Sequence, residues 1–413
     1  MLIFVSDLHL ADHKSRTSFQ PSALFDAIRS CVEENKATDD RVKLVLLGDI
    51  FEMLKSDIWI RENVRPWDTA DDKLSKTGLD VLENIHNSNK AFFDGLKALQ
   101  RDYALDIEYM AGNHDALMDD ENIVGVRKRL REMIPLIPGI GGSPDECFRQ
   151  YLVDSAHGVV AEHGHELDSF NCRVSETGRF VPGDAVVIEL LVRFPQEVAT
   201  QLGYASPQED QFNDRVGFLQ ELDNVEPQSL AGLLRWVEWQ MDRVPKKSRR
   251  EIEKAVSGAL VVCGNALSRA MRKNGSKLWA ARVLRALTIH RAFTRVWILR
   301  LFATLPSGTT DEISEVADRV SLMAPINASD GQMFDLYVAG HTHAPRQQGF
   351  AIATGRQMTY LNTGTWRRVQ APVRTLGGIG FQEHYHETLL CVHPYRLRPL
   401  TGRYEFRQNV RGR

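Results

Sequence analysis

The sequence predicts an α/β domain interrupted by a long helical insertion, and three observations lead there. From residue 1 to about 170, short apolar runs alternate with segments of helical period. Between about 175 and 330 the chain turns to long stretches of helix formers punctuated by Pro and Gly. After 331, strand-like runs return. The chain therefore divides into one discontinuous domain, 1–174 with 331–413, and an inserted helical cap, 175–330.

Leu2-Val5, Val42-Leu47 and Ile107-Met110 are short apolar runs of the kind that form buried strands. Among them, Leu24, Ile28 and Val32, and further on Leu82, Ile85, Leu96 and Leu99 with Phe92 and Phe93, recur at helical spacing. Around Gln150-Ala161, two apolar stretches flank Asp154-Ser155-Ala156-His157-Gly158, a turn-rich sequence suited to a hairpin. The second part of the sheet system is thus expected to be antiparallel or mixed.

In the insertion, Val186-Phe194, Leu230-Met241, Ile252-Met271, Leu278-Leu305 and Glu312-Met323 read as helices, separated at Pro195, Pro207, Pro227, Pro245, Gly275 and Pro306. On a wheel of Leu278-Phe302, Trp279 and Trp297 share a broad apolar face, with Arg282, Arg285 and Arg300 roughly opposite. Strands return at Leu336-Ala339, Thr359-Asn362 and Leu389-Val392.

A chain of 413 residues with 43% hydrophobic content can bury one large core or two modest ones and has the composition of an ordinary soluble globular protein. A strand starting at Leu2 leaves no room for a signal peptide, and no run reaches the roughly 18 apolar residues of a membrane span, so a cytoplasmic location is expected. Cys31, Cys147, Cys172, Cys263 and Cys391 are scattered without a CxxC pair, which suits reduced thiols better than a disulfide frame or a zinc knot.

The net charge of -3 hides an uneven distribution. From Lys246 to Arg300, 14 basic residues face only Glu251 and Glu253, a candidate contact surface for nucleic acid or an anionic membrane surface. The acidic residues that precede this block, Glu209, Asp210, Asp214, Glu221, Asp223 and Glu226, are expected to pack against it and cancel part of its field.

Function is signalled where the apolar runs end. Five of them close in tight clusters: Ser6-Asp7-Leu8-His9, Gly48-Asp49-Ile50-Phe51-Glu52, Gly112-Asn113-His114-Asp115, His163-Gly164-His165 and Gly340-His341-Thr342-His343. Ligand sites in α/β sheets gather where strands end, so these side chains are expected to converge. The set offers carboxylate and amide oxygen with imidazole nitrogen and no thiolate, which suits Mn²⁺, Fe or Zn²⁺ in a reactive centre rather than a structural zinc site. Asp49 can bridge two cations if it sits centrally, the arrangement used for displacement at phosphorus.

In that order and spacing, the five motifs resemble the calcineurin-like metallophosphoesterase superfamily. The resemblance implies a four-layer α/β/β/α sandwich with a two-metal site at the strand ends, Mn²⁺ being the leading choice of metal. It implies that Asp7, His9, Asp49 and His343 hold one ion, and that Asp49, Asn113, His163 and His341 hold the other. A metal-bridging hydroxide would attack phosphorus, His114 would protonate the leaving oxygen, and Glu52 would orient His114. His165, Arg173 and Arg346 are candidate substrate contacts, and Asp168 and Asn171 are placed near the mouth of the site.

Gly48-Asp49-Ile50-Phe51-Glu52 lacks the Asp-Arg-Gly ending of the serine/threonine protein phosphatases, which argues against protein substrates. Asp7-Leu8-His9-Leu10, the Phe51-Glu52 ending, Gly340-His341-Thr342-His343-x-Pro345 and Asn362-Thr363-Gly364-Thr365-Trp366 are similar to the UDP-2,3-diacylglucosamine diphosphatase branch. That branch usually carries His-Gly-Asp where this chain has His163-Gly164-His165, and its lid is shorter. The expectation is a metal-dependent hydrolase of a phosphodiester, diphosphate or phosphomonoester in a phosphorylated small molecule or nucleotide-lipid, working in the cytoplasm or at the membrane periphery. The alternatives are an Mre11-like nuclease using the basic cap and, last, a non-catalytic metal-binding scaffold.

Overall fold

The structure is a computed structural model, and it describes residues 1–12, 19–35, 41–137, 146–168, 170–172, 179–225, 230–273, 312–322, 334–375, 378–394 and 404–412. It is a mixed α/β arrangement with two mixed sheets. Apolar runs with both faces to cover form its centre. β1 (Leu2–Val5), β2 (Lys43–Leu47) and β3 (Asp106–Met110) pair in parallel. Three later strands extend that sheet: β9 (Arg368–Thr375), β10 (Gly378–Val392) and β11 (Tyr404–Gly412). β10 lies antiparallel against β1, β9 and β11.

The second sheet comprises β4 (Tyr151–Asp154), β5 (Val159–Glu162), β6 (Leu336–Ala339), β7 (Arg346–Ala351) and β8 (Gln357–Asn362), in the order β4-β5-β6-β8-β7. β5, β6 and β8 are parallel neighbours, and β4 and β7 close the edges antiparallel. The expected hairpin around Gln150-Ala161 is the β4–β5 pair.

Strand alternation explains why these runs are apolar throughout. Phe4, Val45, Leu47, Met110 and Leu390 of the first sheet share one apolar cluster with Ala161, Val338 and Leu361 of the second. The alternate residues Ile3, Val5, Leu44 and Leu46 pack instead with Leu24 and Ile28 of helix Pro21–Asn35, Leu82 and Ile85 of helix Asp71–Ser88, and Phe92 and Leu96 of helix Lys90–Tyr103. On the second sheet, Val160, Tyr337 and Tyr360 pack with Val316 and Val320 of helix Glu312–Leu322.

The helical part of the chain has its own apolar cluster, in which Phe194, Phe212, Leu219, Trp236, Ile252 and Val256 meet Phe381 of β10. Three expectations change here. Pro195 does not end a helix: it falls in the first turn of Arg193–Gln201, directly after a π-helical turn over Val187–Val192. Such a widened turn accommodates the amide hydrogen that proline lacks. Helix Lys246–Lys273 is longer than Ile252-Met271, and β9 to β11 make a long ribbon where only Leu389-Val392 had the apolar signature. Consecutive polar residues such as Gln382-Glu383-His384 break the apolar/polar alternation in that ribbon and mask its strand character.

The expected helix Leu278-Leu305, with Trp279 and Trp297, lies outside the described residues, as does Arg173. No described helix is long and apolar enough to cross a membrane. Of the acidic residues expected to neutralise the basic block, three have other partners, and Glu226 lies outside the described residues. Glu221 pairs with Arg368 at 2.9 Å, and Asp223 pairs with Lys55 at 2.5 Å and with Arg367. They tie the helical segment to the sheet-bearing part of the molecule. Glu209 accepts the amide of Ala205 at 2.6 Å.

The cysteines also need one correction. Cys31 and Cys391 meet sulfur to sulfur where helix Pro21–Asn35 lies on β10, with Cα atoms 7.6 Å apart, a span longer than disulfides usually show. Cys147, Cys172 and Cys263 remain separate thiols.

Candidate metal centre

The first three candidate clusters follow β1, β2 and β3 of one parallel ladder, and the last two follow β5 and β6 of the other. Leu2 to Val5 run in register with Lys43 to Leu46, so the segments that follow β1 and β2 emerge side by side. The Asp7 amide then donates to the Gly48 carbonyl at 3.1 Å and the His9 amide to the Asp49 carbonyl at 2.9 Å. At this point the backbone becomes irregular. Asp7, His9, Asp49, His341 and His343 all have positive φ, between 48° and 70°. That conformation costs a non-glycine residue on the order of 1–2 kcal/mol, and five expected ligands share it. Surrounding contacts must hold it in place.

Several do. The Thr365 hydroxyl donates to the Asp7 carbonyl at 2.7 Å, Ser6 Oγ bonds the Asp7 carboxylate, and the His341 amide donates to Asp7 Oδ2 at 3.0 Å. Asp115 is fully buried, and its carboxylate accepts the amides of Gly112 at 2.6 Å and Ile50 at 2.9 Å, with those of Asp49 and Phe51 at 3.4 and 3.3 Å. It thereby joins the loop after β2 to the loop after β3. Burial, then the charge of Asp49, pushes the Asp115 carboxyl up to about 6. Gly48 has φ +82°, and a Cβ there would collide with the His163 ring, so the close approach requires glycine.

The result is convergence. Ligand atoms of Asp7, His9 and His343 form one tight group; those of Asp49, His163 and His341 form another; and His9, Asp49 and His114 overlap both. Within each group the atoms lie within 4.8 Å of one another. His343 Nε2 is 3.4 Å from Asp7 Oδ1, and His9 Nε2 is 3.8 Å from Asp7 Oδ1 and 3.9 Å from Asp49 Oδ2.

Proton bookkeeping shows what the arrangement lacks. His163 Nδ1 lies 2.9 Å from the Leu47 carbonyl, which can only accept, so Nδ1 carries a proton. The neutral ring then turns a bare Nε2 lone pair toward Asp49 Oδ2, 3.2 Å away but not aligned for a hydrogen bond. His9 repeats the pattern: Nδ1 faces Glu52 Oε2 at 2.9 Å, and Nε2 faces His343 Nε2 at 3.0 Å. Asp7 Oδ1 and Asn113 Oδ1 are likewise buried without a hydrogen-bond partner.

Buried acceptors that face one another call for a cation between them. These buried groups, with Asn113 supplying a neutral oxygen, could hold a metal ion. In the metal-free protein a proton takes that place at His163: burial works against it, but the Asp49 charge prevails and raises the imidazole to about 9. His343 goes the other way, since burial, against the pull of Asp7, lowers it to about 4.

His114 and Glu52 stand together at one side. His114 Nδ1 is 2.7 Å from Glu52 Oε1, while the other Glu52 oxygen bonds His9, so one carboxylate orients both imidazoles. Burial alone would favour neutral groups. The His114 charge, with hydrogen bonds from both rings, nevertheless holds Glu52 well below the usual carboxylate range, and the charges of Glu52 and Asp49 raise His114 to about 10. A doubly protonated ring cannot ligate a metal but can give up a proton.

The remaining candidates separate. His165 lies beside the rings of His163 and His341, with centroids 5.5 and 6.4 Å away, and its Nε2 is 3.6 Å from Glu166. It belongs to none of the ligand groups. Arg346 bonds Gln348 on its own strand at 2.5 Å. Asp168 accepts from His341 Nε2 at 3.3 Å and from Asn171 at 2.6 Å, which makes it an orienting partner of a ligand histidine.

Asp115 and Thr365 were missed as site residues because only tertiary contacts reveal them. Their one sequence signal is a polar residue that is fully buried inside a ligand motif. No protein-family model matches the chain, and no curated protein matches it.

Two outcomes are expected from the geometry. Asp115→Ala strands buried amides and should lower stability by about 2–4 kcal/mol, with weaker metal binding, while Asp115→Asn keeps one acceptor and loses less. A melting temperature unchanged from the wild type would contradict that role. Because His163 holds a proton up to about pH 9, metal binding at pH 7 should release about one proton or more, and affinity should rise from pH 6 toward 9. Calorimetry in buffers of differing ionisation enthalpy reads this directly, and zero release would contradict it.

Proposed function

We propose that the chain is a phosphoester hydrolase of the calcineurin-like metallophosphoesterase type, working with two divalent cations that share Asp49. The observation that carries the reading is the set of buried acceptors without a hydrogen-bond partner, Asp7 Oδ1, Asn113 Oδ1 and His163 Nε2, gathered with His9, His341 and His343 beside the Asp49 carboxylate. Asp7, His9, Asp49 and His343 would hold one ion, and Asp49, Asn113, His163 and His341 the other. Hard oxygen and borderline imidazole donors without thiolate favour Mn²⁺, with Fe or Zn²⁺ as alternatives. An α/β/β/α order of layers is supported by the shared apolar cluster between the sheets and by the helices packed on the far side of each.

When bound, the cations supply a lowered water pKa and positive charge for the phosphoryl oxygens. The residues do the rest. His114, charged and fixed through Nδ1 by Glu52, presents Nε2–H as the donor to the leaving oxygen. Glu52 also fixes the tautomer of His9, so that Nε2 stays a donor of electrons rather than of a proton. Asp168 does the corresponding service for His341.

A protein substrate is disfavoured. Where the protein phosphatases have Asp-Arg-Gly, this chain buries Phe51 against Phe93, with ring centroids 5.8 Å apart, and commits Glu52 to two histidines. The nuclease reading stays the alternative: in the described part of the basic block Lys273 pairs with Asp68 at 2.7 Å, while Lys246, Lys247, Arg250, Lys254, Arg269 and Arg272 are exposed. The favoured substrate is a phosphorylated small molecule or a nucleotide-lipid, selected by the helical segment acting as a cap.

The test is a Mn²⁺-loaded panel of p-nitrophenyl phosphate, its bis ester, UDP-sugars, nucleoside diphosphate lipids and plasmid DNA. Turnover of a phosphoester that EDTA abolishes is expected; two bound metals with no turnover of any member would contradict the reading. His114→Ala should keep its metal and lose on the order of 10²- to 10⁴-fold with a poor leaving group, and much less with p-nitrophenolate. Equal losses with both would remove the assigned proton donation.

A further inference from the structure

Asp223 occupies an unusual position. It is the last residue but one of the 3₁₀ segment Gly217–Asn224 of the helical part, yet its carboxylate is held by two cations, Lys55 from the loop after β2 and Arg367 from the segment between β8 and β9. Lys55 Nζ reaches Asp223 Oδ2 at 2.5 Å, and Arg367 Nη2 bonds the same oxygen and Asn224 Oδ1 at 2.9 Å. Burial alone would raise Asp223, but the charges of Lys55 and Arg367 outweigh it and keep the carboxylate ionised.

Both cations belong to the metal centre by position. Lys55 follows by three residues Glu52, whose carboxylate bonds His9 and His114. Arg367 follows Thr365, which bonds the Asp7 carbonyl and accepts the Arg367 amide at 3.1 Å. The Arg367 charge opposes protonation of both His114 and His343. Two cations on one carboxylate leave positive charge beside the centre in a poorly hydrated place.

That place is reachable. Lys55, though neither Asp223 nor Arg367, lines a solvent-open cleft between the loops that carry Asp12 and Asp57 and the helical residues Leu191, Gln196 and Gln220. Among the described residues, the side-chain hydrogen bonds of Arg367 all run through Nη2, so the other edge of the guanidinium is available for a planar contact with an oxyanion.

We propose that Lys55 and Arg367 bind a second anionic group of the substrate, next to the phosphoryl group that reacts, and that the Asp223 carboxylate holds its place until substrate arrives. The proposal rests on the phosphoesterase reading for the identity of the reacting group. It makes Asp223 a competitor for the subsite and the helical segment a sensor of its occupancy. A substrate with a single anionic group would leave Asp223 where it is.

Calorimetry on the Mn²⁺-loaded full chain with methylenediphosphonate, phosphonoacetate and methylphosphonate tests this without turnover. Lys55→Ala should weaken methylenediphosphonate about tenfold or more and leave methylphosphonate within about twofold. Asp223→Asn, nearly isosteric, should tighten methylenediphosphonate severalfold by removing the resident charge. Phosphonoacetate following the diphosphonate assigns the subsite to any second anion; its following methylphosphonate restricts the subsite to a second phosphoryl group.

A mere structural clamp predicts the opposite for Asp223→Asn, with no gain for any probe. That result, equal losses for all three probes in Lys55→Ala, or no binding of the diphosphonate to the wild type would overturn the proposal. The expected binding pattern together with no turnover of any phosphoester would instead sink the hydrolase reading and leave the subsite.

Discussion

The centre depends on unneutralised acceptors packed around Asp49. A carboxylate oxygen faces the lone-pair side of His163 at 3.2 Å, and Asp7 Oδ1 and Asn113 Oδ1 are buried nearby without hydrogen-bond partners. In a buried site such contacts repel unless a positive charge lies between them, and full burial prevents water from relieving them. Much of the nearby structure keeps these atoms from moving apart. Asp115 anchors two loops by their amides, Thr365 and Ser6 fix Asp7, and five left-handed residues aim their side chains inward. Strain of this kind persists only where its surroundings over-determine it, and it points to a site rather than to an accident of packing.

In the proposed hydrolase, Glu52 would link metal binding to proton delivery. A carboxylate with one oxygen on a ligand histidine and the other on His114 couples the two: whatever draws electron density from His9 also changes the acidity of His114. Charge therefore need not travel far. The same economy recurs on the opposite side, where Asp168 steadies His341.

The convergence of these side chains was legible in the sequence because parallel strands place their ends together, so a polar cluster after each apolar run is a local sign of a shared site. Asp7, His9, Asp49, His163, His341 and His343 needed no more than that. Asp115, Thr365 and Asp223 were not legible, since their partners lie far along the chain and no periodicity marks them. The ribbon of β9 to β11 escaped for a different reason: its runs of consecutive polar residues resemble a loop until strand pairing is known. Composition misled for the acidic residues of the helical segment. Proximity in sequence suggested that Glu221 and Asp223 would neutralise the basic block, but tertiary packing gave them Arg368, Lys55 and Arg367. Those pairs bind the helical segment to the centre, which is how a cap would come to influence selection of the substrate.

The central claim is that two cations share Asp49. Anomalous diffraction from crystals grown with Mn²⁺ tests it most directly. The account predicts two peaks, roughly 3.5–4 Å apart, on either side of the Asp49 carboxylate, one beside Asp7, His9 and His343 and the other beside Asn113, His163 and His341. A single peak, or none among these residues at saturating metal, would contradict it.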